Sequence, residues 1–376
     1  MYSSYSPLQQ SQLAAQGYYD TQSTYLLVYA PGRNTALRAT LADQLHRKFR
    51  LADTLGSALT EGVDGVLLVS EDVECMSTAL MCFAKALQDG ADYAVCNAVF
   101  GFGGATALYQ SRAHLAQNRC ALVSRPLLER CRAAAKDPEN VTELLALAAQ
   151  LCAHPARIPQ ALLHYERDIC AEDAFSATGK RAFLMSHVLD MTGAPIVLVS
   201  AVPVLRSMGY EVVVLGPSDG GALQLFVDAG AAVITRPGIR ATPNLWGLAL
   251  CADLVLVNTV VMARTVRALS GTAVPVLWWL HDAFAGYPHI AHQIPTKLAE
   301  NVRLYSVGHH AANAMHAVRP DFQIGQLIYG LPDYAAEDFP RCDLGYPADK
   351  PLFATVGSFE RRKGHDIFCA AIRLLP

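Results

Sequence analysis

From Ala182 onward the chain alternates short, continuously apolar runs with stretches of helical character, and this alternation limits the fold more than any other feature. The β-prone runs are Ala182 to Ser186, Glu211 to Leu215, Ala232 to Thr235, Asp253 to Asn258, Val274 to Leu280, Val302 to Val307 and Gln323 to Ile328. Helical stretches lie between most of them, at Ala194 to Met208, Ala222 to Ala229, Leu245 to Cys251, Met262 to Leu269, Ile294 to Glu300 and Ala311 to Val318. A strand without polar alternation is covered on both faces, and strands joined through helices run parallel. The pattern therefore predicts an α/β domain over 181–332, a doubly wound Rossmann-like parallel sheet. A Pro-rich linker follows over 333–350. Leu352 to Val356 then reads as one strand and Asp366 to Leu375 as one helix. One strand and one helix cannot bury a face, so 351–376 reads as the start of another α/β domain, truncated.

The first half is less regular. Residues 1–24 are rich in Ser, Gln and Tyr without a period and read as a flexible lead-in. Strands are expected at Tyr25 to Ala30, Gly65 to Val69 and Tyr93 to Phe100, with shorter extended pieces at Cys120 to Val123 and Arg157 to Leu163. Helices are expected over Thr35 to Arg50, Leu55 to Thr60, Ser77 to Gln88 and Val141 to Leu151. These make a smaller α/β domain over 25–168, joined by a polar linker, 169–180, to the second.

Composition removes whole classes. A length of 376 residues suits two or more domains. A net charge of -3, from 30 basic and 33 acidic residues, gives no general attraction for nucleic acid. No apolar run is long enough to cross a bilayer, although peripheral membrane contact stays compatible, and the polar start lacks a signal-peptide pattern; the expected location is cytoplasmic. The 10 cysteines form no C-x-x-C pair and sit mostly in apolar runs, as small buried thiols do.

Ligands of open parallel sheets bind at the carboxyl ends of the strands, so four loops there carry the candidate chemistry. Thr192-Gly193, between strand and helix, presents helix N-terminal N–H groups suited to a diphosphate, or is simply a capped turn. Gly216-Pro-Ser-Asp-Gly220 matches the G-x-S-x-G nucleophile elbow; a serine hydrolase on Ser218 would draw on Asp282 with His289 or His309, and a plain loop is the other reading. Trp278-Trp-Leu-His281-Asp282 ends an apolar strand on a histidine that faces a crevice or is satisfied structurally. Val356 to Gly364 carries Arg361, Arg362 and Lys363 at a strand-to-helix corner, a diphosphate clamp or a solvated face. Gly101 to Thr106 has Thr where a dinucleotide fingerprint needs its third Gly.

In order, Thr192-Gly-Ala-Pro195, Leu205 to Val214, Asp253 to Thr259, Val276 to Asp282, Tyr329-Gly-Leu-Pro-Asp333 and Val356 to Gly364 resemble GT-B glycosyltransferases of family 4, the group 1 type. The resemblance implies donor phosphates near Thr192 and Gly193, a transferred sugar beside His281, and a leaving diphosphate neutralised by Lys363 with Arg361 or Arg362. It implies no cofactor. Ser358 stands where many relatives have Arg, and the Glu-rich donor motif of the family falls outside the residues present. Residues 25–168 resemble, more distantly, a shortened GT-A enzyme of family 2, on Val66 to Glu74, Ala121 to Pro126 and Ala156 to Tyr165. That likeness places a divalent Mg or Mn on Asp72 alone, because Ser70 replaces the first Asp, and an acidic base on Glu143; a degenerate or scaffolding domain is the other reading. The expected activity is sugar transfer from a nucleotide-diphosphate donor to a hydroxyl of a glycan or lipid-linked acceptor, the fragment alone being inactive. A serine hydrolase and a non-catalytic scaffold are the competing classes.

Overall fold

The structure, a computed structural model, describes residues 18–56, 59, 62–101, 106–110, 119–175, 179–218, 220–239, 247–330, 345–347, 351–357, 359 and 361–375. Met1–Tyr329 is one compact unit and Gly330–Pro376 a second.

In the first unit the chain runs β1 (Leu26–Tyr29), α1 (Thr35–Leu41), β2 (Phe49–Ala52), β3 (Gly65–Val69), β4 (Glu74–Cys75), α2 (Ala79–Gln88), β5 (Tyr93–Gly101), β6 (Thr106–Gln110), β7 (Cys120–Ser124), α3 (Arg125–Ala134), α4 (Val141–Leu151) and β8 (Pro155–Asp168). β2, β1 and β3 pair in parallel, then β7, β5 and β6 continue the sheet antiparallel. Local sequence sets the helix starts. Ser124 Oγ accepts from Leu127 N–H at 3.4 Å with Pro126 in the first turn, and Asn140 Oδ1 accepts from Glu143 N–H at 3.0 Å.

After α5 (Ala171–Ala174), the strands β9 (Lys180–Met185), β10 (Tyr210–Gly216), β11 (Ala232–Thr235), β12 (Leu254–Asn258), β13 (Val276–Leu280), β14 (Val302–Ser306) and β15 (Ile324–Gln326) lie in the order β15-β14-β13-β12-β9-β10-β11, all parallel. Between them run α6 (Gly193–Ser207), α7 (Leu223–Asp228), α8 (Ala263–Leu269) and α9 (His309–His316). This is the doubly wound Rossmann-like arrangement. Both faces are covered: Phe183 and Met185 of β9 join one apolar cluster and Ala182 and Leu184 the other, as a two-residue period requires. β11 also pairs antiparallel with β6, Ile234 opposite Tyr109, so one sheet runs through the unit.

Four expected elements differ. The helix expected over Thr35 to Arg50 stops at Leu41, and Phe49 and Arg50 enter β2, paired with β1. Ile294 to Glu300 forms no helix: the chain passes a 3-10 turn, Ala291–Gln293, and runs on irregularly to β14. Leu245 to Cys251 contains only the 3-10 turn Ala249–Cys251, with 245–246 outside the described residues. Residues 352–356 have no strand partner among the described residues and stay irregular, since a strand exists only through its ladder. Residues 57–58 and 60 of the Leu55 to Thr60 stretch, and 102–105 of the glycine run, lie outside the described residues. In the second unit Arg361–Lys363 is a 3-10 turn, Gly364 has a φ of 66°, and α10 (His365–Ile372) follows with Ile367 exposed.

Candidate active site at the carboxyl edge of the parallel sheet

The chain leaves β9 toward β10 and β11 on one side and returns to β12, β13 and β14 on the other, which makes the β9/β12 boundary a topological switch point. In open parallel sheets the loops diverge at such a point, outside the carboxyl ends of the strands. After β9 the chain passes Ser186 and His187 to Thr192, whose extended backbone opens the 15-residue α6. The Thr192 side chain makes no cap bond, and nothing lies within 4 Å of where a Cβ on Gly193 would stand. The first N–H groups of a helix have no acceptor within it, so this end is suited to an anion.

β12 ends on Asn258, fully buried, whose Nδ2 donates to the Ala194 carbonyl at 3.0 Å and ties the strand to the first turn of α6. Thr259 follows with a φ of 72°, the one non-glycine left-handed residue among the described residues. Such backbone costs about 1–3 kcal/mol and persists only where its surroundings fix it. Here they do. Thr259 N–H donates to Trp279 O at 2.8 Å, Trp278 Nε1–H donates to Thr259 O at 2.8 Å, and Val260 N–H donates to Asp282 Oδ2 at 2.7 Å. The Thr259 hydroxyl oxygen lies 3.3 Å from His187 Nδ1.

His281 leaves the end of β13 with its ring 4.7 Å from that of Trp279. Its Nε2 is enclosed and has no hydrogen-bond partner. Burial, and secondarily the neighbouring His187, bring its pKa down to about 4, so the ring is neutral at neutral pH. Burial also raises the Asp282 carboxyl, against the opposing pull of backbone donors that include Val260. A neutral imidazole with an unpaired nitrogen can donate to or accept from a substrate oxygen.

The structure thus brings Thr192, Gly193 and His281 to one edge and adds His187, Asn258, Thr259 and Asp282. Of these, Asn258 and Thr259 were within reach of sequence reasoning, because they end an apolar strand as His281-Asp282 does. Arg361 and Lys363 are exposed in the second unit; the side chain of Arg362 and all of Ser358 lie outside the described residues. Ser218 is exposed on the loop after β10, with no hydrogen bond to a histidine among the described residues. The glycines of that loop have a packing reason: a Cβ on Gly220 would stand 2.3 Å from Leu189 O, and one on Gly216 2.5 Å from the Leu189 side chain. His309 lies against Gln326 at 3.2 Å and His310 against the Phe284 ring.

In the first half, Asp72 is spent on structure. Its Oδ2 accepts from Thr35 N–H, Thr35 Oγ1 and Ala36 N–H at 2.9, 3.0 and 3.1 Å, and its Oδ1 accepts from Leu37 N–H at 3.0 Å. Glu71 pairs with Arg167 at 2.7 Å and Glu74 with His164 at 2.7 Å. No group of three potential metal ligands occurs among the described residues, and a lone Asp72 with both oxygens engaged does not fit a divalent cation. Glu143 accepts from Lys136 N–H at 2.8 Å and Asp137 N–H at 3.2 Å, which closes the turn into α4. Its neighbour Glu139, which the sequence did not single out, accepts from Leu55 N–H at 2.6 Å and Tyr29 OH at 3.2 Å.

Residues 178–316 match glycosyl-transferase family 4. The match begins just before β9 and ends with α9, so the matched segment contains the switch point and every residue described above at the strand ends. No curated protein matches the chain. Among solved structures, an alpha-glucosyltransferase in complex with UDP-glucose and DNA containing an abasic site aligns over 39% of this chain and 42% of its own, at 12% identity and a TM-score of 0.27. The chain thus spans less than half of that structure. No helix among the described residues is long and apolar enough to cross a membrane.

Proposed function

We propose that the chain takes part in moving a sugar from a nucleotide-diphosphate donor to a hydroxyl of a glycan or lipid-linked acceptor, with the family 4 segment as the acceptor-side half of the site. The observation that carries this reading is the juxtaposition, at the switch point of that segment, of an uncapped helix N-terminus with a neutral histidine whose Nε2 is unpaired. The α6 N-terminus suits the donor phosphates and His281 a sugar hydroxyl. Arg361 and Lys363, with Arg362, are assigned to the leaving diphosphate, where cations offset developing charge. The reaction so conceived is independent of metal, and residues 25–168 serve as a scaffold.

The test incubates the protein with radiolabelled nucleotide sugars and hydroxyl acceptors. Transfer that is lost on His281→Ala is the expected result. Transfer that survives His281→Ala, or ester hydrolysis lost on Ser218→Ala, would overturn the reading.

A further inference from the structure

Asn258 is fully buried at the end of β12, and the two ends of its amide are in opposite states. Nδ2 donates to the Ala194 carbonyl at 3.0 Å, while Oδ1 is enclosed and has no hydrogen-bond partner. A carbonyl only accepts, so the amide cannot turn over without setting two oxygens against each other, and the unpaired atom is fixed as an acceptor. A buried acceptor without a donor is costly and rare in native proteins. Ala194 also belongs to the first turn of α6. In that turn Ile196 N–H donates to Thr192 O at 3.2 Å and Pro195 has no N–H, which leaves the N–H groups of Gly193 and Ala194 without an acceptor in the helix.

We infer that Asn258 is a specificity-determining residue which, together with the start of α6, reads a phosphate ester that carries a hydroxyl on the neighbouring carbon. The N–H groups of Gly193 and Ala194 take the phosphate, and Asn258 Oδ1 takes the hydroxyl proton. The two ligand groups must be close neighbours, because one residue, Ala194, holds the amide through its carbonyl and offers its N–H to the anion. A phosphate monoester, with a second pKa of about 6, has no proton left to give at about pH 8, so its oxygens satisfy the turn and leave Oδ1 unpaired. Thr192 and Gly193 are exposed, and nothing lies within 4 Å of where a Cβ on Gly193 would stand, so a group seated on the turn has room there. Trp279 stands opposite Asn258 on β13, and the His281 ring lies 4.7 Å from the Trp279 ring, which puts this corner beside the residue assigned to the sugar. The choice of a sugar phosphate as the ligand rests on the glycosyl transfer proposed above.

A chemical-shift titration of the ¹⁵N-labelled full chain at about pH 8, with glucose 1-phosphate and 2-deoxyglucose 1-phosphate as probes, reads both halves of the site. Both esters should move the backbone amide signals of Gly193 and Ala194. Only glucose 1-phosphate should move the Asn258 side-chain amide signal, and the deoxy ester should bind roughly tenfold more weakly. Asn258→Ala should bind the two esters alike. Equal affinity of wild type for the two esters, binding of neither, or an Asn258→Ala protein that keeps the preference would overturn the inference, and the wild-type comparison decides even if Asn258→Ala does not fold. Absence of sugar transfer by a protein that discriminates the esters would count against the proposed function and leave the role of Asn258 standing.

Discussion

Replacing Asp72 by Ala should destabilise the first unit through the helix it caps. Asn34, at the cap position of α1, makes no cap bond and donates its Nδ2 to the carbonyls of Ala30 and Pro31 instead. The N–H groups of Thr35, Ala36 and Leu37, which have no acceptor in the helix, all donate to Asp72, 35 to 37 residues along the chain. Losing a capping side chain costs about 1 kcal/mol, and losing a carboxylate from a helix N-terminus costs about 0.3–1 kcal/mol more. The Thr35 hydroxyl bond adds a similar amount, so Asp72→Ala should cost about 2 kcal/mol, with Asp72→Asn in between. In a unit this large that lowers the melting temperature by about 4 °C. Burial alone would raise the Asp72 pKa, but the bonds from Leu37, Ala36 and Thr35 outweigh it and hold the carboxyl below its ordinary value of 3.8. The contribution is therefore complete above that value and is lost as pH falls through the lower folded-state pKa, so wild type and Asp72→Ala should converge in strong acid. Thermal melts by circular dichroism, with and without manganese and uridine diphosphate, provide the assay. If Asp72→Ala melted with wild type, or if manganese stabilised wild type alone, Asp72 would be a metal ligand and not a cap.

Other substitutions probe the second half. His281→Ala should lower transfer on the order of 10²-fold with the fold intact, read by steady-state kinetics. Because the folded His281 pKa of about 4 lies below the ordinary 6.5, the unfolded chain binds a proton that the folded one refuses as pH drops from 6.5 to 4; stability falls over that window, and His281→Gln should flatten the fall in urea titrations. Gly220→Ala should cost more than about 2 kcal/mol in the same titrations, because the new methyl meets a backbone carbonyl that cannot move aside. Lys363→Ala should lower kcat for transfer more than it raises the KM for the nucleotide sugar, read by steady-state kinetics.

The parallel sheet was legible because β9, β10, β12 and β13 each hold at least four consecutive apolar residues, a pattern that two-sided burial explains. His281 was legible as a polar residue ending such a run. The Thr259 turn was not: Thr is a poor guess for a left-handed position, and the bonds that hold it come from Trp278, Trp279 and Asp282, about 20 residues away in sequence. The role of Asp72 was hidden for the same reason, since a helix normally draws its cap from its own preceding residue.

The two edges of the molecule treat their polar groups in opposite ways, and this bears on which of them binds a ligand. In the first half the carboxylates that family likeness marks for chemistry are satisfied internally: Asp72 by α1, Glu143 by Lys136 and Asp137, with Glu71 held by Arg167 and Glu74 by His164. Its unpartnered buried atoms, on Arg50, Ser77 and Gln160 among others, are scattered over β2, the approach to α2 and β8. In the second half Asn258 Oδ1, His281 Nε2 and Ser306 Oγ are all unpartnered, and they stand at the ends of three adjacent strands, β12, β13 and β14. An enclosed polar atom without a partner costs about 1–3 kcal/mol, and three in one row form a debt that folding alone does not explain. The proposed site is placed at this edge because three enclosed polar atoms at adjacent strand ends lack partners there, and no such row occurs among the described residues of the first half.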